Sequence, residues 1–493
     1  MKLGSICFRL VGLFYFCSNN YLFIPAVTAE KTRPSTAVEN LDKKPKKFCS
    51  PDLAREIEAV LNRPKLRRSR WGIEVQTLAG NSIYSLEGNK FFNPASAAKL
   101  LVSAAGLLEL GADYRLKTPI YSQGKPPVLQ SLRVKGQGDA TISSQSLKAI
   151  VHQLRVRGVQ QIEHLIIDDS YLAPPAINPT WEWVDVHSYF ATAASSIILN
   201  ENTVTLTLLP QQVGQPVKFF WDDAIAAKQW QVINRATTGA ADIEYAVEID
   251  GDLGLPRLEL RGELAVNEPP DIWDLAVVDP AGYFLESLRL HLDRGGIKVN
   301  RGTVLEQADA QNKDTEFTAI YAPPLQEILQ EINQESNNLY AEALGKILAR
   351  KLKVDTSVEA IEQSLAEIGI KPAEYELVDS SGLSRQNLVT PQTLVKLLQL
   401  MSQESTAQSY RQTLAVAGVR GTLKRRFLDS SLQNKIWGKT GTLTGVGALS
   451  GYLERNNSTL VFCILVNNSE LKNKEIRQAI DEIVAIVNRI DVC

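Results

Sequence analysis

The alternation of apolar and polar residues near the N-terminus predicts a β-hairpin preceded by a helix. Residues 71–78 alternate with the two-residue period of a half-buried strand, and 83–87 repeat that period after a polar turn at 79–82. Ahead of them, 52–61 carries apolar residues at the three- and four-residue spacing of an amphipathic helix. We therefore expect the ordered part of the chain to begin with one helix and two antiparallel strands.

The C-terminal end has a matching pattern. Apolar runs separated by short turns predict three successive strands, at 436–443, 446–453 and 460–466. The segment 474–490 then places its apolar residues on one helical face, which we expect to pack onto a sheet. Together the two ends predict an α+β fold in which an antiparallel sheet is covered by helices.

The middle of the chain is patterned differently. From about residue 119 to 306, Gly, Pro and Asp turns separate short β-type runs, which include 165–167, 204–209 and 258–260. This predicts an inserted, mostly β region of one or two small domains. Helical patterns return at 325–332 and 339–352.

The segment that follows Pro94 is apolar on almost every side as far as Leu110, and Gly111 ends it. A helix that is apolar all round is buried, and Ser96 and Lys99, three residues apart, share one face of its first turn. Burial removes the hydration of a lysine and lowers its pKa, so that it can act as a general base for a serine hydroxyl. The alternative is a lysine whose ammonium group reaches out of the core to water.

A second polar cluster, Ser336-Asn337-Asn338, falls between the two helical patterns that follow the middle region. A short loop is expected there, and its serine and asparagine can project their polar groups into a cleft. The alternative is a plain polar turn between two helices.

A third cluster, Trp-Gly-Lys-Thr-Gly-Thr at 437–442, lies in a strand pattern. Strand alternation places Lys439 and Gly441 on one face and Thr440 and Thr442 on the other. The glycines would let another backbone approach closely, as an extended substrate added to a sheet edge requires. The alternative is a β-bulge with an exposed lysine.

Taken in chain order, Ser-x-x-Lys at Ser96, Ser-x-Asn at Ser336 and Lys-Thr-Gly at Lys439 resemble the signature of the penicillin-recognising serine enzymes. Ser96 and Ser336 are 240 residues apart, and Ser336 and Lys439 are 103 apart. The first separation is far longer than in a plain β-lactamase, and the pattern resembles the class C low-molecular-mass penicillin-binding proteins, the D-Ala-D-Ala carboxypeptidase/endopeptidase family. That resemblance implies a penicillin-binding-protein/β-lactamase-like transpeptidase fold, with the large insertion folded as two extra domains.

Other segments extend the resemblance over nearly all of 49–487. They are Gly-Gln-Gly-Asp at 136–139, Leu-Asn-Glu-Asn at 199–202, Asp-Ser-Ser-Gly-Leu-Ser-Arg at 379–385 and Gly-Val-Arg-Gly-Thr-Leu at 418–423. One departure is Ser380, which stands where family members often have glycine. It bears on the geometry of that turn and on the direction of Arg385.

The resemblance also implies a role for each motif residue. Ser96 would be the nucleophile and Lys99 its base, while Ser336 would relay a proton to the leaving amine. The backbone N–H groups of Ser96 and Thr442 would form the oxyanion hole. The implied substrate-binding residues are Asn338, Lys439, Thr440, Gly441, Thr442 and Arg385.

Composition and residue placement narrow the remaining classes of function. The net charge of −2 and the pI of about 6.2 give no indication of a nucleic-acid partner. All four histidines, at 152, 164, 187 and 291, fall in the middle region and away from the three motifs. Neither a Ser-His-Asp triad nor a zinc-binding pattern is therefore indicated, and we expect no metal and no cofactor.

The first residues have the features of an export signal. Lys2 and Arg9 supply positive charge, 10–17 is apolar, and small residues at 27–29 suit a cleavage site. We expect cleavage at the end of that site, a flexible leader over 30–48, and an exported, periplasmic protein without a stable transmembrane anchor.

Cys49 and Cys493 lie near the two ends of the exported chain. In an oxidising compartment a disulfide between them would tie the ends together, and the sequence leaves that pairing open. The expected division is a signal peptide at 1–29, a leader at 30–48, a first catalytic part at 49–117, the mostly β insertion at 118–313 and a second catalytic part at 314–493.

The combined expectation is a serine D-Ala-D-Ala carboxypeptidase/endopeptidase that acts on peptidoglycan stem peptides and cross-links through an acyl-enzyme and is inhibited by β-lactams. Two alternatives stay open. One is a non-catalytic cell-wall-binding or β-lactam-sensing protein whose insertion does the binding, and the other is a β-lactamase or esterase. An enzyme is favoured by the intact set Ser96, Lys99, Ser336 and Lys439, because a pure binder has no use for a buried lysine.

Overall fold

A computed structural model of the chain describes residues 50–251, 255–307, 315–456 and 458–490. The expected signal peptide, the leader and both Cys49 and Cys493 lie outside these residues. The helices are α1 (Ser50–Leu61), α2 (Lys99–Leu110), α3 (Ser144–Val156), α4 (Ala224–Ala227), α5 (Pro280–Arg294), α6 (Leu325–Asn333), α7 (Asn338–Leu352), α8 (Ser357–Glu367), α9 (Pro391–Met401), α10 (Ala407–Gln412) and α11 (Asn473–Asn488). Short 3-10 turns lie at Ala95–Ala98, Trp183–Asp185, Tyr189–Ala191, Asn200–Asn202, Pro372–Glu374 and Gly421–Leu423.

The strands follow the same numbering in chain order. They are β1 (Arg70–Thr77), β2 (Ser82–Leu86), β3 (Lys117–Lys125), β4 (Val128–Lys135), β5 (Gln161–Asp168), β6 (Thr203–Leu209), β7 (Lys218–Trp221), β8 (Gln231–Asn234), β9 (Thr237–Gly239), β10 (Glu248–Gly251), β11 (Arg257–Arg261), β12 (Glu263–Ala265), β13 (Asp271–Ala276), β14 (Lys298–Leu305), β15 (Thr315–Tyr321), β16 (Tyr375–Glu376), β17 (Leu388–Val389), β18 (Ala415–Val416), β19 (Ile436–Leu443), β20 (Val446–Arg455) and β21 (Ser458–Asn467).

The two ends of the chain build one antiparallel sheet, in the order β18-β19-β20-β21-β1-β2. β1 and β2 are the predicted hairpin, and β19, β20 and β21 are the three predicted C-terminal strands, with bounds within two residues of the expectation. β1 pairs with β21 along its whole length, which joins the N-terminal hairpin to the C-terminal strands. The α+β prediction is confirmed.

Helices cover both faces of this sheet, because β20 and β21 carry apolar residues on both of their sides. On one face α11 and α1 share a core with the sheet, to which Ile480, Ile483, Leu53 and Ile57 contribute fully buried side chains. On the other face α2 lies in a second core that also includes α7, α8 and α9. Between the sheet and the other helices, α2 is buried on almost every side, as its composition predicts.

The inserted region is built on a five-stranded sheet in the order β14-β5-β4-β3-β15. Two helices that the sequence reading did not predict, α3 and α5, pack against it in a shared core. Three smaller sheets, β13-β6-β7, β10-β11-β8 and β12-β9, complete the region. Because β15 pairs with β3 in the main sheet, residues 315–321 belong with the insertion, and we would move its proposed boundary from 313 to 321.

In the part of the chain that the structure describes, none of the helices combines the length and the apolar character that crossing a bilayer requires.

The packing of α11 generates a stability prediction. Ile483 is fully buried between α11 and the sheet, so Ile483→Ala leaves a cavity and should lower the free energy of unfolding by about 2–5 kcal/mol. Gln478→Ala, on the exposed side of the same helix, should change it by less than about 0.5 kcal/mol. Urea unfolding followed by circular dichroism checks both, and equal effects of the two substitutions would contradict this packing.

Candidate active site

Ser96 lies in the 3-10 turn Ala95–Ala98, which runs directly into α2. Ala95 has a positive φ of +46°, a conformation that costs energy for a residue with a Cβ. The turn is fixed from outside: Asn93 Oδ1 accepts from Ala95 N at 2.9 Å, and Asn467, at the end of β21, bonds the backbone of Asn93 in both directions. The central sheet therefore sets the position of Ser96.

Lys99 begins α2 one turn after Ser96, and its side chain is completely buried. Its Nζ donates to Ser96 Oγ at 2.9 Å, to Asn338 Oδ1 at 2.6 Å and to the carbonyl oxygen of Ser381. The lysine thus joins the first motif to the second and to the turn at 379–385, and it does not reach solvent.

Burial decides the charge of this lysine. Loss of hydration lowers the pKa of Lys99 to about 7, against the opposing effect of the carboxylates of Asp379 and Glu342. Burial likewise raises the pKa of Glu342 to about 7, and Asp379 adds to that rise. Near neutral pH a substantial fraction of Lys99 is therefore uncharged, as a general base must be.

Ser336 lies in the loop between α6 and α7 and also has a positive φ, of +66°. Its Oγ accepts from Lys439 Nζ at 2.8 Å, which joins the second motif to the third. Lys439 is fully buried, and burial, with a smaller effect of the nearby Lys99, lowers its pKa well below the ordinary value. The site thus holds two buried lysines with lowered pKa values, and each donates to a serine hydroxyl.

Strand β19 presents the third motif with the predicted alternation. Lys439 and Gly441 are buried, whereas Thr442 is exposed. β18 pairs only with Trp437 and Gly438, so that, among the described residues, the edge of β19 beyond Gly438 has no paired strand opposite β20. An extended peptide could add to that edge.

The sequence predicts that Gly441 lets a substrate backbone come close, but another part of this chain lies against it. A Cβ at this position would lie 2.6 Å from the carbonyl oxygen of Pro94 and 3.1 Å from Ala95 Cβ. The backbone that Gly441 admits is therefore the chain's own turn at Ser96. Gly382 does the same from the other side, since its Cβ would lie 2.0 Å from the carbonyl oxygen of Ala95.

The turn at 379–385 tolerates its unusual residue. Asp379 carboxylate oxygens accept from the backbone N–H groups of Gly382 and Ser384 at 2.7 Å each, and the positive φ of the turn falls on Gly382 at +80°. Ser380 is fully buried, in a space that Gly345 leaves open: a Cβ on Gly345 would lie 2.1 Å from Ser380 Oγ. Gly345 therefore makes room for Ser380, and the turn accommodates the serine.

The remaining predicted residues lie at the rim. Thr440 Oγ1 donates to Thr422 Oγ1 at 2.8 Å. Arg385 pairs with Glu182 of the insertion at 2.9 Å and donates to the carbonyl oxygen of Thr444 at 3.1 Å. The structure thus brings the predicted catalytic and substrate-binding residues into one region, with Arg385 at its edge.

Two features of the site were not predicted from the sequence: the position of Glu342 beside Lys99, and the contact of Asn338 with the insertion. Glu342 follows Asn338 by four residues on α7, so its place on the same helix face could have been found from the helical period. The contact in which Asn338 Nδ2 donates to the carbonyl oxygen of Phe190 at 2.7 Å could not, because Phe190 belongs to the distant insertion. Among the described residues there is no group of three or more His, Cys, Asp or Glu that could hold a metal.

The sequence is similar to a known protein family and to individual members of known function. The D-Ala-D-Ala carboxypeptidase 3 (S13) family matches the sequence over residues 53–487. The chain is 30% identical over 439 residues to a D-alanyl-D-alanine carboxypeptidase of Actinomadura sp., covering 85% of this chain and 81% of that protein. It is 26% identical over 466 residues to penicillin-sensitive carboxypeptidase A of Dictyostelium discoideum, covering 85% and 87%.

The fold has a solved counterpart as well. The crystal structure of penicillin binding protein 4 from Haemophilus influenzae matches with a TM-score of 0.77 at 22% identity, covering 89% of this chain and 98% of that one. This likeness confirms the predicted penicillin-binding-protein-like fold.

The environment of Lys99 generates a titration prediction. Lys99 should lose its proton near pH 7, about three units below an exposed lysine, because its burial disfavours the charged form. Glu342→Gln removes a carboxylate that stabilises the charged form, so the pKa of Lys99 should fall further. NMR of ¹³C-labelled lysine side chains, with Lys99→Arg to assign the signal, measures both. A Lys99 signal that stays in the charged form up to about pH 9 would contradict the assignment.

Proposed function

The chain belongs to the D-Ala-D-Ala carboxypeptidase 3 (S13) family, and on that premise we propose that Ser96 is the nucleophile of a serine D-Ala-D-Ala peptidase that works through an acyl-enzyme. The observation that carries the proposal is the 2.9 Å contact between Ser96 Oγ and the buried Lys99 Nζ, with the pKa of Lys99 lowered to about 7. The family confirms the activity predicted from the three motifs, and the roles of individual residues are our proposal.

In the first step neutral Lys99 takes the proton of Ser96 as the serine oxygen attacks the carbonyl carbon of the penultimate D-alanine. The backbone N–H groups of Ser96 and Thr442 would stabilise the resulting oxyanion. The C–N bond then breaks, and the leaving amine takes a proton that Ser336 relays from Lys99. The products are free D-alanine, or the amine of a cross-link, and an ester on Ser96.

In the second step a water molecule attacks that ester, releases the shortened peptide and returns the proton to Ser96 Oγ. A β-lactam is a cyclic amide whose amine stays tethered to the acyl group after ring opening, so the ester it forms on Ser96 hydrolyses slowly. We infer that peptidoglycan stem peptides are substrates and that β-lactams inhibit by this route, in keeping with the similarity to penicillin-sensitive carboxypeptidase A of Dictyostelium discoideum.

We propose that the substrate lies along the open edge of β19. Thr440 and Thr442 would hold its terminal carboxylate, with Gly441 between them, and Asn338 would bond its amide. A bound carboxylate would raise the depressed pKa of Lys439, which would then supply the positive field that the sequence predicts. Arg385, already held by Glu182 of the insertion, would contact the peptide farther from the scissile bond.

The proposed location is extracytoplasmic, since peptidoglycan lies outside the cytoplasmic membrane. The basic start and the apolar run of the first 29 residues support it as an export signal. We also propose the domain division expected from the sequence, with the insertion extended to residue 321 because β15 pairs with β3.

The proposal predicts D-alanine release from a diacetylated L-Lys-D-Ala-D-Ala peptide by the wild-type protein. Ser96→Ala should lower kcat by at least about a thousandfold, because the acyl-enzyme cannot form. Ser458→Ala should leave the rate within about twofold, because this exposed serine pairs with Arg455, at the opposite end of β20 from Gly447, the partner of Thr442. Release that persists in Ser96→Ala would overturn the assignment of the nucleophile.

A further inference from the structure

The insertion carries an unusual turn beside the active-site loop. Asn200, Glu201 and Asn202 have successive positive φ values of +49°, +56° and +52°. Left-handed backbone costs energy for residues with a Cβ, and a run of three persists only where the surroundings hold it. Such strain indicates that the turn serves to aim a side chain.

The two asparagines fix the turn to the insertion. Asn200 Nδ2 donates to Tyr283 OH at 2.8 Å, and its Oδ1 accepts from Ser144 N at 2.9 Å. Asn202 is fully buried, and its Nδ2 donates to the carbonyl oxygen of Ala193 at 2.9 Å. Glu201, between them, is left to point away from the insertion.

Glu201 contacts the loop that carries the second motif. Its Oε2 accepts from Asn337 Nδ2 at 2.7 Å. Asn337 Oδ1 in turn accepts from Tyr340 N at 3.3 Å and caps α7, and Asn337 N donates to the carbonyl oxygen of Glu331 at 3.1 Å. Every polar group of the Asn337 side chain is thus used to fix the loop.

Asn337 stands directly between Ser336 and Asn338. Ser336 is held at a positive φ, and Asn338 is bonded to Lys99 and to Phe190 of the insertion. We infer that Glu201 is a positioning residue whose carboxylate, carried by the insertion, fixes Asn337 and thereby holds Ser336 in the conformation that proton relay requires. The inference rests on the proposed function, and it makes the insertion part of the active-site scaffold.

The test compares acylation of Ser96 by benzylpenicillin in Glu201→Ala, Glu201→Gln and a matched control, Glu163→Ala. Glu163 also accepts from an asparagine, Asn300, at 2.6 Å, but on the main sheet of the insertion. Rapid-quench measurements over a range of drug concentrations give the limiting acylation rate and the dissociation constant separately. Thermal unfolding of each variant monitors folding.

Glu201→Ala should lower the limiting acylation rate by about tenfold with a dissociation constant within about twofold of wild type, because the relay serine is displaced and the drug's other contacts remain. Glu201→Gln should stay within about twofold, since its Oε1 still accepts from Asn337. Glu163→Ala should match the wild type. If Glu201→Ala does not fold, Glu201→Asp, which keeps the charge but shortens the reach, should show a loss of several-fold.

Two results would overturn the inference and leave the function intact: wild-type acylation by Glu201→Ala, or an equal loss in the Gln and Ala variants, which would assign the effect to charge. Absence of acylation in both the wild type and Glu163→Ala would instead overturn the proposed function, and the inference with it.

Discussion

The burial of Lys99 is the constraint on which the rest of the site depends. An ammonium group without water is costly, and the chain offsets that cost with three hydrogen-bond acceptors and with the two carboxylates of Glu342 and Asp379. The balance leaves the pKa of Lys99 near neutrality. Placing this lysine needs a helix that is apolar on all sides, a sheet that covers one side of it, and two distant segments, at Asn338 and Ser381, that meet its Nζ.

Those loops meet because small residues allow them to. Gly441 and Gly382 lie against the backbone of the turn at Ser96 from two directions, at distances that any side chain would prevent. The left-handed residues Ala95 and Ser336 bring the two serine hydroxyls to their lysines. Hydrogen bonds from β21, β19 and the insertion hold these two left-handed residues in place. The positions of the site's side chains are therefore fixed by the strands and helices that carry them.

Much of this arrangement could be predicted from the sequence because it depends on short-range pattern. The spacing of apolar residues, and the positions at which that spacing ends, predict the buried helix after Pro94, the loop at Ser336 and the strand at Lys439. The concern over Ser380 could not be resolved that way, since the space it needs comes from Gly345 on another helix. The contacts from Phe190 and Glu201 to the loop at 336–338 span more than 130 residues of sequence, and only the fold brings them together.

The most direct test of this account is the pH dependence of Ser96 acylation by benzylpenicillin, followed by intact-protein mass spectrometry. A single adduct should form faster as the pH rises through about 7, where Lys99 becomes neutral, and should be absent in Ser96→Ala. An acylation rate that does not change between about pH 5 and 9, or an adduct that persists in Ser96→Ala, would contradict the claim that a neutral, buried Lys99 activates Ser96.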